Sequence, residues 1–164
     1  MNRMTLLVLV PLFLVTMGNY CGPDIIDDAG FQFWCGDQLC AWTLEEGAVR
    51  KVTTWHEHDY AVELVGAPVI LSQRATESSP SCVRIEIIAD AEESAMLSIA
   101  IDVDGNGLND WSARIFGEGF QSMAWELRGN SAPGVGSIFM LTTEGEGRAV
   151  VAQLRASSEC EGDG

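Results

Sequence analysis

Val83-Arg84-Ile85-Glu86-Ile87-Ile88-Ala89-Asp90 and, after a short polar break, Leu97-Ser98-Ile99-Ala100-Ile101-Asp102-Val103 decide how this chain folds. In both stretches every second residue is apolar, while the interleaved positions carry Arg84, Glu86 and Asp90, or Ser98 and Asp102. Successive side chains on an extended backbone point to opposite faces, so this pattern is a strand with one face on a core and the other in water. A helix needs apolar residues three and four apart, and the chain beyond its first 20 residues carries no such stripe.

Working outward, Met123/Trp125/Leu127 alternate with Ala124/Glu126/Arg128, and Val150/Ala152/Leu154 with Ala149/Val151/Gln153/Arg155. Strands are expected near 31–35, 40–44, 48–54, 60–65, 69–75, 82–90, 95–103, 109–116 and 121–128, with a last hairpin at 136–143 and 148–155. Gly, Pro, Asn, Asp and Ser clusters separate them. Many short strands at such spacing imply an all-β, two-sheet antiparallel β-sandwich, here over 31–156. The 164 residues suffice for one domain, and 47% hydrophobic residues suffice for a real core. With 24 acidic against 9 basic side chains, a net charge of −15 and a lone lysine, Lys51, the chain is unfit to neutralise phosphates, which excludes nucleic acid as a partner.

The two ends read differently from the middle. Residues 1–20 have Arg3, an apolar run from Leu6 to Val15 and then small and polar residues, the parts of a secretory signal peptide. The run is shorter than a membrane span and holds Pro11. Cleavage either follows Gly18 or precedes Cys21, and in the second case Cys21 takes lipid. Cysteine arithmetic favours lipidation: it leaves Cys35, Cys40, Cys82 and Cys160 as an even set in an oxidising compartment. Gly36-Asp37-Gln38-Leu39 is turn-like, so Cys35–Cys40 is the first-choice bridge and Cys82–Cys160 the second. The four lack the CxxC spacing of a zinc site. Residues 21–30 read as a tether, 157–164 as an acidic tail, and the bacterial cell envelope, at the outer membrane or in the periplasm, as the destination; secretion is the alternative.

Gly30-Phe31-Gln32, Trp42, Glu46-Gly47-Ala48-Val49, Tyr60-Ala61-Val62-Glu63-Leu64, Leu71-Ser72-Gln73, Gly119-Phe120-Gln121 and Gly147-Arg148-Ala149-Val150-Val151-Ala152-Gln153-Leu154 follow one another in an order that resembles the galactose-binding-like jelly rolls of bacterial carbohydrate-binding modules. The resemblance covers about residues 30–156. It implies a jelly-roll sandwich that binds glycans without catalysis. Many such modules hold a structural calcium with an acid beside the first strand and an Asp in the last; the matching positions here are Gln32 and Ala152 or Gln153, which lack carboxylates. The stretches Trp34–Trp42 and Trp55–Leu64 also resemble those of myxobacterial-type predicted lipoproteins.

Four features could carry chemistry. Asp102, Asp104, Asn106 and Asp110, with Gly107 between, reproduce much of a calcium loop, although its final bidentate position is Ala113; Asn106-Gly107 is equally a hairpin turn signal. No other cofactor is implied. His56-Glu57-His58-Asp59 offers two imidazoles but no third ligand. No nucleophile, phosphate-loop or metalloprotease motif occurs, so the chain reads as a non-enzyme. For sugar binding, Trp42, Trp55, Tyr60 and Trp111 are available as aromatic planes, whereas strand phase puts Trp125 in the core. The outward phase collects Arg84, Glu86, Asp102, Arg114, Glu126, Arg128, Gln153 and Arg155, either as one self-paired charged face or as a binding groove. The expected ligand set is Trp55, Tyr60, Arg84, Glu86, Arg114, Glu126, Arg128 and Gln153. Recognition of a glycan or other envelope ligand is the leading function; a structural or protein-interaction module with no sugar site is the alternative.

Overall fold

A computed structural model describes residues 24–54, 59–76, 81–158 and 160. Strands β1 (Trp34–Cys35) and β2 (Gln38–Leu39) form a small hairpin closed by the Cys35–Cys40 disulfide. The other strands are β3 (Thr43–Thr53), β4 (Tyr60–Arg74), β5 (Cys82–Ala91), β6 (Ser98–Asp102), β7 (Trp111–Arg114), β8 (Gly117–Arg128), β9 (Ile138–Thr143) and β10 (Ala149–Ser157). They form one antiparallel ladder in the order β7-β6-β9-β4-β10-β5-β8, with β3 alongside β4.

That ladder becomes two layers because β3 and β4 pass from one to the other. Residues 62–64 of β4 pair with β10, while residues 69–74 pair with β9. Strand β3 follows β4 through the bend with two register shifts, between Leu44 and Ala48. Gly47 has φ of 83°, and a Cβ there would lie 2.7 Å from the Pro68 carbonyl oxygen, so only glycine lets the two backbones approach this closely. The separate strands expected near 40–44 and 48–54, and near 60–65 and 69–75, are thus two long bent strands. The glycine and proline punctuation marks a change of sheet rather than a loop, as bends do at the corners of sandwiches.

Inward residues of both layers meet in one core: Val83, Ile85 and Ile87 from β5 pack in the same cluster as Ile99, Ile101, Phe139 and Leu141 from β6 and β9. Each such side chain contributes about 1.5–3 kcal/mol on burial. Opposite the bent strands, edge strands β7 and β8 meet through Trp111 and Trp125, whose rings are edge-to-face at 5.5 Å.

The stretch expected as a tether is packed in from Asp24 on. Ile25 and Ile26 are buried, Ile25 donates its N–H to Ala156 O at 2.8 Å, and Asp24 bridges to Ser157. Two apolar residues amid aspartates were enough to dock it. The second disulfide, Cys82–Cys160, ties the end of the chain to the start of β5. Cys21 lies outside the described residues.

Candidate functional site

Three polar regions compete as a site. The first is the outward face of β5, β8 and β10. Register sets Arg84 opposite Glu126, Arg155 opposite Glu86 and Gln153 opposite Ile88. The charges there satisfy one another: Arg84 Nε donates to Glu86 at 2.7 Å and lies 3.8 Å from Glu126, and Arg128 donates to Glu126 at 3.0 Å. Arg155 donates to Asp24 at 2.6 Å. The pairing extends across the layer, with Arg148 on Asp90 at 2.9 Å and Arg50 on Glu63 at 2.7 Å. Arg114 and Asp102, expected on this face, belong to the other layer, where Arg114 stands opposite Ser98. Alternation fixes which face of its strand a residue takes, but not which sheet the strand joins. Tyr60 is on the opposite side of β4 from Glu63. Trp55, His56 and His58 lie outside the described residues.

The second region is the connection from β6 to β7. Carboxylate oxygens of Asp102, Asp104 and Asp110 fall within 4.8 Å of one another. Each carboxylate is already engaged: Asp102 accepts the N–H groups of Gly105 at 2.7 Å, Asn106 at 3.1 Å and Gly107 at 2.7 Å. Asp104 accepts from Asn106, and Asp110 from the N–H of Val103 at 2.7 Å. The Asn106 side chain accepts from Leu108 N at 2.8 Å. Burial, the largest influence on Asp102, opposes its charge, but the three N–H groups and Asp104 together outweigh it and hold its carboxyl below the usual range. The residues build a self-bonded turn, with a carboxylate cluster as its by-product.

The third region is the inner face of β3 beneath the β1–β2 hairpin. Gln38, Leu39, Trp42, Thr43, Leu44, Val49 and Leu71 line a half-open recess of about 300 Å³. Lys51 follows Val49 on the same face, and Trp34 is the cross-strand partner of Leu39, which places a cluster of Trp34, Lys51 and Tyr60 on the same two elements as the recess. The Lys51 ammonium lies 3.5 Å from the Tyr60 ring centroid and 5.8 Å from that of Trp34. Trp34 is held through its ring and Tyr60 through its backbone. Trp34 Nε1 donates to Phe31 O at 2.8 Å. The Gln32 amide clamps the Tyr60 backbone, donating to its carbonyl at 3.0 Å and accepting from its N–H at 3.2 Å. Gln32 thus acts as a brace.

Beneath this cluster Asp28 accepts the N–H groups of Gln32 at 2.6 Å and Phe33 at 3.0 Å. Burial dominates and raises its pKa in spite of those donors. Trp42, an expected surface aromatic, is instead buried at 5% exposure and stacks on Phe31 at 5.3 Å. Trp111 and Trp125 are both half-buried against the core. Among the described members of the expected ligand set only Tyr60 falls in this region, with Trp42, an expected aromatic plane, in the wall of its recess; Trp34 and Lys51 were missed. The available signal was the phase of β3, which puts a lysine on the side where Val49 points inward.

By sequence, no protein-family model and no curated protein matches the chain. By fold, the chain is similar to TmCBM61, whose structure is in complex with β-1,4-galactotriose: TM-score 0.60, 16% identity, covering 84% of this chain and all of that one. It is also similar to the CBM22-1 xylan-binding domain of Xyn10C from Paenibacillus barcinonensis, with TM-score 0.54, 12% identity and coverage of 83% and 94%. A third likeness is to the enzymatically active domain of bacteriophage CBA120 tailspike protein 4, at TM-score 0.63 and 14% identity, over 82% of this chain but 21% of the other. The fold is therefore a carbohydrate-binding-module type of jelly-roll sandwich.

Proposed function

We propose that this chain is a non-catalytic glycan-binding module, exported and held at the bacterial envelope by lipid on Cys21. One observation carries the binding part: Trp34, part-exposed and locked by its indole N–H, stands on the hairpin whose Gln38 and Leu39 line the groove, in a fold shared with a galactotriose-bound module. A pyranose presents a plane of C–H groups that an aromatic ring covers, and its hydroxyls need polar groups at the rim. Trp34 supplies the plane; Gln38, Thr43 and the Lys51–Tyr60 pair supply the rim. On the outer face the charges are paired with one another, which argues against Arg84, Glu86, Glu126 and Arg128 as ligand contacts.

Calorimetric titration of the purified protein with β-1,4-linked galactose, xylose and glucose oligosaccharides tests the reading. Binding is expected to at least one, lost in Trp34→Ala and retained in Arg84→Ala. If no oligosaccharide binds, or if the Trp34 change leaves binding intact, the groove is not the site. A mass measurement on membrane-extracted protein tests the anchor: diacylglycerol on Cys21 is expected, and a free Cys21 thiol would refute it.

A further inference from the structure

We infer that the groove selects an acidic sugar, one whose ring carries a carboxylate as in a uronic acid; the inference rests on the glycan reading of the groove. It starts from Lys51, the single lysine of the chain. Arg50, Arg84, Arg128, Arg148 and Arg155 each lie within salt-bridge distance of a carboxylate. No carboxylate among the described residues pairs with Lys51. Its ammonium instead rests over the Tyr60 ring, 3.5 Å from the centroid. An aromatic face attracts a cation without neutralising it, so the ammonium keeps its charge and its N–H donors for a ligand. The Tyr60 backbone is itself clamped by Gln32, and its ring serves as a pedestal for the charge.

The geometry divides the work between the rings. Lys51 lies over both rings but closer to Tyr60, 3.5 Å against 5.8 Å from the centroids, so Tyr60 carries the ammonium and the wider gap is on the Trp34 side. A sugar lying on Trp34 would bring its exocyclic carbon alongside the ammonium. If that carbon is a hydroxymethyl, the contact is an ordinary hydrogen bond; if it is a carboxylate, the contact is charge-assisted and about twice as strong. The net charge of −15 acts the other way, but it acts at long range and is screened beyond about 8 Å at physiological salt. The preference for acid should therefore show in slower dissociation, while association of the acid is no faster than that of the neutral sugar.

The test uses matched pairs that differ only at that carbon: cellotriose with its C6-oxidised uronic acid, and the corresponding galacto pair. The acid is expected to bind roughly tenfold more tightly, as one charge-assisted contact warrants. Lys51→Gln should erase that preference: the acid loses the charge-assisted contact, roughly tenfold, while the neutral sugar loses no more than one ordinary hydrogen bond, so the two affinities converge. Because Lys51 is the only lysine, reductive methylation with ¹³C-formaldehyde places a single side-chain reporter. Its resonance should shift with the acid and much less with the neutral partner. If the neutral sugar binds in a Trp34-dependent way and the acid binds no better, this inference falls and the glycan reading stands. If the acid preference survives Lys51→Gln, the inference also falls. If none of the four sugars binds, both fall together.

Discussion

Arg50 and Lys51 are neighbours on one strand and end in opposite states. Arg50 points to the outer face and donates to Glu63 at 2.7 Å, one contact in a surface where the described charges are tied to one another. Lys51 points to the inner face, over an aromatic ring and away from any described carboxylate. Exposed pairs such as those of the outer face add little, about 0–1 kcal/mol each, but they use up the capacity of their members to bind anything else. The contrast teaches that abundance of charge does not locate a site in this chain. The informative feature is a charge whose surroundings hold its position without cancelling it.

The two disulfides separate these regions most sharply. Cys82–Cys160 closes 78 residues of sequence and Cys35–Cys40 only 5. In the chain-entropy account the first stabilises by about 4–5 kcal/mol and the second by about 2 kcal/mol. Cys82→Ser should therefore cause the larger drop in denaturant midpoint while leaving oligosaccharide affinity unchanged under conditions where the protein stays folded. Cys35→Ser with Cys40→Ser should cost less stability and weaken sugar binding more, because Trp34 sits on the hairpin that this bridge closes. Equal loss of binding in both variants would mean that the groove is no more dependent on the hairpin than on the fold as a whole.

Much of this was readable in the residues. Alternation identified β5, β6 and β8, because each has one face on the core; it located β10 but mistook its phase, since a register shift between Val151 and Gln153 puts Ala149 and Val151 in the core together with Leu154. Short spacing and export logic gave both disulfides. The long bent strands were not readable, since Gly47 and Gly66-Ala67-Pro68 look like loop punctuation until the partner strand is known. Nor was the groove. Lys51 and Trp34 meet only because the hairpin folds back over β3, a contact of tertiary structure that leaves no periodicity in the chain. Trp42 was misjudged for the same reason, as the packing that buries it against Phe31 comes from the N-terminal segment.

Two aspartates carry the comparison into pH. Asp28 lies under the groove and its pKa is raised, chiefly by burial. A raised carboxyl contributes stability that is full below its unfolded pKa and is lost as pH rises through the folded value. Asp102 lies in the β6–β7 turn and is lowered: burial opposes its charge, but the N–H donors prevail. Its contribution is present above the unfolded value and is lost as pH falls through the folded one. Melting temperatures measured against pH for the parent, Asp28→Asn and Asp102→Asn should therefore give difference curves of opposite slope, the parent losing ground to Asp28→Asn as pH rises and to Asp102→Asn as pH falls. Curves of the same slope would overturn one of the two assignments. A chelator shift in the parent that is absent in Asp102→Asn would show that the turn also holds calcium.

The smallest expected effect is on the outer face, and its smallness is what makes it useful. Arg84 has Glu86 at 2.7 Å and Glu126 at 3.8 Å, with side chains that keep about a quarter to a third of their surface in water. Removing the guanidinium in Arg84→Ala loses contacts that solvent already screens and leaves Arg128 on Glu126. A cost of about 1 kcal/mol or less follows, with glycan affinity unchanged within about twofold. A loss beyond 2 kcal/mol would show that the pairs cooperate as a network rather than add singly, since isolated exposed pairs do not reach that value. A tenfold loss of glycan affinity with stability preserved would be more serious. It would move recognition from the groove to the face where the charges are paired, and Lys51 would then be a lysine resting on a ring for stability alone.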